Sequence, residues 1–210
     1  MTGDNVTNET NEKHRIRAMT RVVYYAAMSL DGYIAEADDT LDWLTSYAGQ
    51  PVPDEVEPVE RGYEDFYRRV GALVIGAVTY EWILDHISGG GNWPYARKPC
   101  WILSSRELRV LEGDGVDIRV VDGSVSELFE RMADSAGDAD LWLVGGGNVA
   151  SQFADAGLLD EVRVTVVPVV LGTGKPLFDR RVGGEPMRLI GVAPKANGMV
   201  ELAYELAERP

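Results

Sequence analysis

The stretch Leu141-Trp142-Leu143-Val144-Gly145-Gly146-Gly147-Asn148-Val149-Ala150-Ser151-Gln152-Phe153 decides how this chain is read. Four large apolar residues in a row describe a strand buried on both faces, and apolar residues then recur at helical spacing. Three glycines between strand and helix let the backbone turn tightly and come close to a ligand. The amide groups that open the helix lack intrahelical partners and suit a phosphate. A tight turn with no ligand fits the same residues.

Composition bounds what such a junction can serve. The chain has 210 residues, 45% hydrophobic and 26% charged, enough for one sizeable core. Its formal net charge of -14 argues against nonspecific binding to nucleic acid or to anionic membranes. A phosphorylated cofactor would then be held by local amides and a few basic side chains. The single cysteine, Cys100, excludes an intramolecular disulfide, reads as a small core residue and fits a reducing, cytoplasmic setting. No apolar run approaches the roughly 18 residues of a membrane span, and the N-terminus lacks the apolar region of a secretory signal. Residues 1–19 are polar and read as a flexible tail before one domain over residues 20–208. The absence of metal-ligand clusters and of a G-x-S-x-G elbow speaks against metal and serine hydrolases.

In chain order, Arg21 to Met28 reads as a buried strand, and Asp31-Gly32 as a turn. Asp31 serves either that turn or a ligand at the strand's end. Residues 36–58, rich in aspartate and proline, read as a long loop of the kind that covers a site. Trp43 in it caps a pocket or anchors the loop. Tyr63, Phe66, Tyr67 and Val70 mark one face of a helix, with Glu64 and Asp65 beside that stripe. A second strand–glycine–helix junction follows at Ala72-Leu73-Val74-Ile75-Gly76-Ala77-Val78-Thr79. A third strand, Cys100 to Leu103, ends in Ser104-Ser105-Arg106, which form a phosphate clamp or a helix cap. Ser124-Val125-Ser126-Glu127 has the form of a capping box. The segments 187–192 and 199–206 flank Asn197-Gly198 as an antiparallel hairpin. Strands alternating with helices and closed by a hairpin predict one α/β domain with a mixed sheet. Gly145-x-Gly147-x-x-Ala150 matches the common dinucleotide fingerprint in form, but the next strand ends in Val166-Val167-Pro168 without the acidic residue that fold places on a ribose.

These junctions, in this order, resemble the dihydrofolate reductase-like superfamily. They are most similar to the C-terminal reductase domain of the bifunctional riboflavin-biosynthesis enzymes (RibD) and its stand-alone bacterial relatives. The resemblance rests on residues 29–35, 73–81, 102–105, 143–148 and 167–174. It implies a single-domain mixed sheet of about eight strands, helices on both faces and a C-terminal antiparallel hairpin. It implies NADPH, with NADH not excluded, across the carboxyl edge of the sheet. Gly76, Ala77, Val78 and Thr79 would hold the diphosphate from one side, and Val144, Gly145, Gly146, Gly147, Asn148 and Val149 from the other. Ser104, Ser105 and Arg106 would meet the 2′-phosphate, and Ala27 the nicotinamide amide. Asp31, Trp43, Tyr67 and Thr165 would surround a small heterocyclic or carbonyl substrate, with Asp31, Glu64 or Asp65 as proton donor. A homodimer is expected.

Departures from the family pattern accompany these matches. Folate reductases often have arginines where Ala77 and Asn148 stand, and riboflavin-pathway reductases have a substrate-binding glutamate where Gly145 stands. Glu60, Glu64 and Asp65 all lie near the place of the folate enzymes' acid. The leading expectation is a nicotinamide-dependent reductase. The alternatives are a non-catalytic nucleotide-binding or dimeric interaction protein, and, more narrowly, a dihydrofolate or 5-amino-6-ribosylaminouracil-phosphate reductase.

Overall fold

The computed structural model describes residues 20–58 and 62–207. The expected tail at 1–19 and Glu60 lie outside the described residues. Eight strands form one sheet: β1 (Val22–Ser29), β3 (Val70–Gly76), β4 (Pro99–Leu103), β5 (Asp117–Val121), β6 (Asp140–Gly145), β7 (Glu161–Val167), β9 (Arg188–Pro194) and β10 (Val200–Glu205). Their order is β5-β4-β3-β6-β1-β7-β10-β9. The first six are parallel, and β10 and β9 close the sheet antiparallel. This is the expected mixed sheet, and it matches the expected count.

The central strands read as unbroken apolar runs because helices cover both of their faces. Ala72 to Ile75 of β3 and Leu141 to Leu143 of β6 are fully or almost fully buried. Helices α4 (Val125–Ala136) and α5 (Gly147–Asp155) pack on one face, where Tyr24, Met132 and Phe153 are buried. Helices α2 (Gly62–Arg69) and α3 (Ala77–Ile87) pack on the other, around Tyr25, Phe66, Tyr80 and Trp142. The capping box at α4 is formed: Ser124 Oγ accepts from the Glu127 amide, and the Glu127 carboxylate accepts from the Ser124 amide.

Two segments carry more order than their composition indicated. The loop at 36–58 contains the one-turn helix α1 (Asp42–Thr45). Trp43 is buried there and does not line the cleft described below. The connection after β7 contributes β8 (Lys175–Pro176), which pairs antiparallel with β2 (Tyr33–Ala35). That small ribbon packs against Gly147 at the start of α5. A Cβ on Gly147 would sit 2.6 Å from the Pro176 carbonyl oxygen and 2.9 Å from that of Leu177.

Candidate active site

Three strand ends meet along one rim of the sheet. β3 lies between β4 and β6, and all three run parallel. Register aligns Gly76 with Leu103 and Ile75 with Gly145, so the segments 76–79, 104–106 and 145–149 emerge side by side. The first and last touch. A Cβ on Gly145 would stand 3.2 Å from Thr79 Oγ1, and one on Gly76 would stand 3.3 Å from Val149 Cγ2. Gly146 has φ 93°, which an L side chain strains to adopt. Helices α3 and α5 begin here with Gly76 and Gly146 as N-caps, and neither end has a side-chain cap. Two sets of orphan amides therefore share one short stretch of rim, an arrangement that could hold an anion. The Asn148 side chain is tied down by donating to Asp179 at 2.6 Å.

Beside this rim, toward β1 and β7, a cleft of about 700 Å³ opens. Ala26 and Ala27 at the end of β1 leave the space because their side chains are small. Aromatic rings wall it. Trp142 meets Tyr63 edge-on at 6.0 Å and Tyr95 edge-on at 5.5 Å between ring centroids. Leu44 of α1, Val144 of β6, and Lys195, Asn197 and Met199 of the β9–β10 hairpin complete it.

The floor is set by strand register. Ala27, Thr165 and Glu201 align across β1, β7 and β10, and Tyr25, Arg163 and Ala203 align in the next row. Tyr25 donates its hydroxyl to Glu201 at 2.6 Å, and Thr165 Oγ1 lies 3.3 Å from the same phenol oxygen. Glu201 also takes Arg163 at 2.9 Å and Lys195 at 2.8 Å. Arg163 continues to Glu161 at 2.8 Å, and Glu161 pairs with Arg21. Burial alone would push the Glu201 carboxyl up. Hydrogen bonds from Lys195 and Tyr25, with the charges of Lys195 and Arg163, outweigh it and hold the group below the usual range. The Tyr25 phenol is pushed well up, first by burial and then by Glu201.

Of the residues expected from sequence, Ala27, Val144 and Thr165 line the cleft. Tyr67 stands one layer back, stacked on Tyr63 at 6.0 Å. Asp31 does not line the cleft: its carboxylate accepts from Ser29 Oγ at 2.7 Å and from the amides of Leu171 and Gly172 at 3.1 and 2.7 Å. These bonds, led by Ser29, hold it below its ordinary range on an exposed turn, where it ties the turn after β1 to the loop after β7. Glu64 and Asp65 are exposed, Asp65 pairs with Arg68, and neither lines the cleft. Tyr25, Glu201 and Lys195 were not singled out from sequence. A charged residue set between apolar neighbours, as in Val200-Glu201-Leu202, was the available signal.

On the other side of the rim, toward β4 and β5, lies a shallow depression of about 450 Å³. Ser104, Ser105, Arg106, Glu107 and Asp122 line it. The Ser104 hydroxyl closes its own turn, accepting from the Arg106 amide and donating to the Arg106 carbonyl, each at 3.0 Å. The Arg106 guanidinium pairs with Glu81 of α3 at 2.8 Å.

The model of the RibD C-terminal domain family matches residues 20–199. YwjB, an uncharacterized protein of Bacillus subtilis, is 30% identical over 173 residues, covering 81% of this chain and 90% of its own length. A Shewanella crystal structure named for riboflavin biosynthesis superposes with TM-score 0.71 at 29% identity, covering 89% of this chain and 98% of that one. Dihydrofolate reductase from Enterococcus faecalis, complexed with NADP(H), superposes with TM-score 0.55 at 15% identity over 89% of this chain and 96% of that one, a likeness of fold alone. Among the described residues, no helix is long and apolar enough to cross a membrane.

Proposed function

Because the chain belongs to the RibD C-terminal domain family, we propose that it is a nicotinamide-dependent reductase, acting with NADPH or NADH on a small heterocyclic or carbonyl compound. One observation carries the reading. Two helix N-termini without side-chain caps, at Gly76 and Gly146, follow adjacent strand ends beside an aromatic-walled cleft. The amides of 77–79 and 147–149 would hold the diphosphate. The cofactor would supply the hydride. Trp142, Tyr63 and Tyr95 exclude water from a planar substrate and bound its thickness. Lys195 Nζ, Tyr25 Oη and Thr165 Oγ1 present its polar contacts, with Glu201 ionised behind them. The protein is expected to work as a homodimer.

Titration with NADPH and with NADH, followed by tryptophan emission, tests this directly, since Trp142 lines the cleft. Saturable quenching by at least one nucleotide is expected, and its absence at millimolar concentration refutes the reading. A second reading, nucleotide binding without turnover, draws on the fact that Asp31, Glu64 and Asp65 do not line the cleft. Saturable binding together with no nucleotide oxidation across a broad panel of heterocycles, quinones and aldehydes would favour it.

A further inference from the structure

The rim has a direction. The aromatic cleft sits at the β6, β1 and β7 ends, and the orphan amides sit at the β3 and β6 ends. A dinucleotide with its nicotinamide in the cleft and its diphosphate on those amides must therefore run its adenosine half the other way. That path crosses the ends of β4 and β5, roughly 5 Å per strand, and ends at the depression lined by Ser104, Ser105, Arg106, Glu107 and Asp122.

The charges there oppose a phosphate. Arg106 is its one lining cation among the described residues, while Glu107 and Asp122 also line it and Glu81, on Nη2 of the guanidinium at 2.8 Å, offsets its charge. A phosphate monoester brings about -1.5 to -2 charges. To be bound, it must share Arg106 with Glu81 and approach two further carboxylates. Ser104 offers little help, because its hydroxyl closes its own turn. A ribose that keeps both hydroxyls meets no such penalty, and a carboxylate at a strand end is a good acceptor for them.

We infer that Glu81 is a cofactor-specificity residue: by holding Arg106 it cancels the site's affinity for a 2′-phosphate, leaving the protein with little preference between NADPH and NADH. This rests on the dinucleotide-binding reading above. It goes beyond that reading in assigning the discrimination to a glutamate on α3.

The experiment measures dissociation constants for NADH and NADPH by tryptophan quenching, and for 5′-ADP and 2′,5′-ADP by calorimetry. Proteins are the wild type, Glu81→Gln, Arg106→Met and the double variant. Glu81 is half-exposed, so Glu81→Gln is expected to fold, which circular dichroism checks. Glu81→Gln should tighten NADPH and 2′,5′-ADP roughly two- to fivefold, the scale of an exposed ion pair, and leave NADH and 5′-ADP unchanged. Arg106→Met should abolish that gain in the double variant. A NADPH-to-NADH ratio moved less than twofold by Glu81→Gln, or a gain that persists without Arg106, overturns the inference while leaving the reductase reading intact. Failure of every nucleotide to bind the wild type removes both.

Discussion

Glu201 shows how one residue can tie stability to the site. It lies on β10 with its side chain 5% exposed, and three donors from β1, β7 and the β9–β10 hairpin converge on it. Glu201→Gln would take the carboxylate from Lys195 and leave Arg163 with Glu161 alone. A loss of roughly 3 kcal/mol is expected, measurable by urea denaturation. The pH dependence has a definite sign. The folded group titrates below its ordinary 4.5, so its contribution is complete above that pH and is lost as the pH falls through the lower folded value. Glu201→Gln should flatten that limb of the stability profile. Cys100 follows the opposite logic. Burial pushes its thiol up to about 12, so a thiol reagent at pH 8 should label it only after unfolding.

Among the elements, the strand–glycine–helix junctions and the β2–β8 ribbon depend on close backbone approach. Gly147→Ala places a methyl group against the carbonyls of Pro176 and Leu177, which cannot swing away as a flexible side chain would. A cost of about 2 kcal/mol is expected in thermal denaturation. Weaker nucleotide binding is expected with it, because the start of α5 must shift. Helix α4 is far less demanding. Ser124→Ala removes one half of a formed capping box and should cost about 1 kcal/mol without altering nucleotide affinity. Comparing these two variants separates a junction that builds the site from one that only supports the fold.

At the level of the whole molecule, the sheet ends asymmetrically. β5 closes the parallel side, whereas β9 closes the antiparallel side with Leu189 and Val192 more than half exposed and Ile190 partly so. An apolar edge strand is a ready surface for a second copy. Sedimentation should therefore give twice the monomer mass, and Val192→Lys should return the monomer. A wild-type monomer at micromolar concentration would contradict the expected homodimer.

Strand and helix identities were legible in short stretches, because burial on both faces, helical periodicity, a capping box and Asn197-Gly198 are local signals. So was the rim: each glycine junction follows a strand, and parallel neighbours bring their carboxyl ends to one edge. The composition of the cleft was not legible. Tyr25 and Glu201 stand 176 residues apart in sequence, and their hydrogen bond exists only once β1, β7 and β10 are in register. The same holds for Glu81 on Arg106, and for Asp31, which the loop after β7 claims as a tether. Local chemistry thus determined which segments are strands, helices and tight glycine turns. Which carboxylate faces a ligand, and which is already taken by a cation or an amide, depended on neighbours that only the folded sheet supplies.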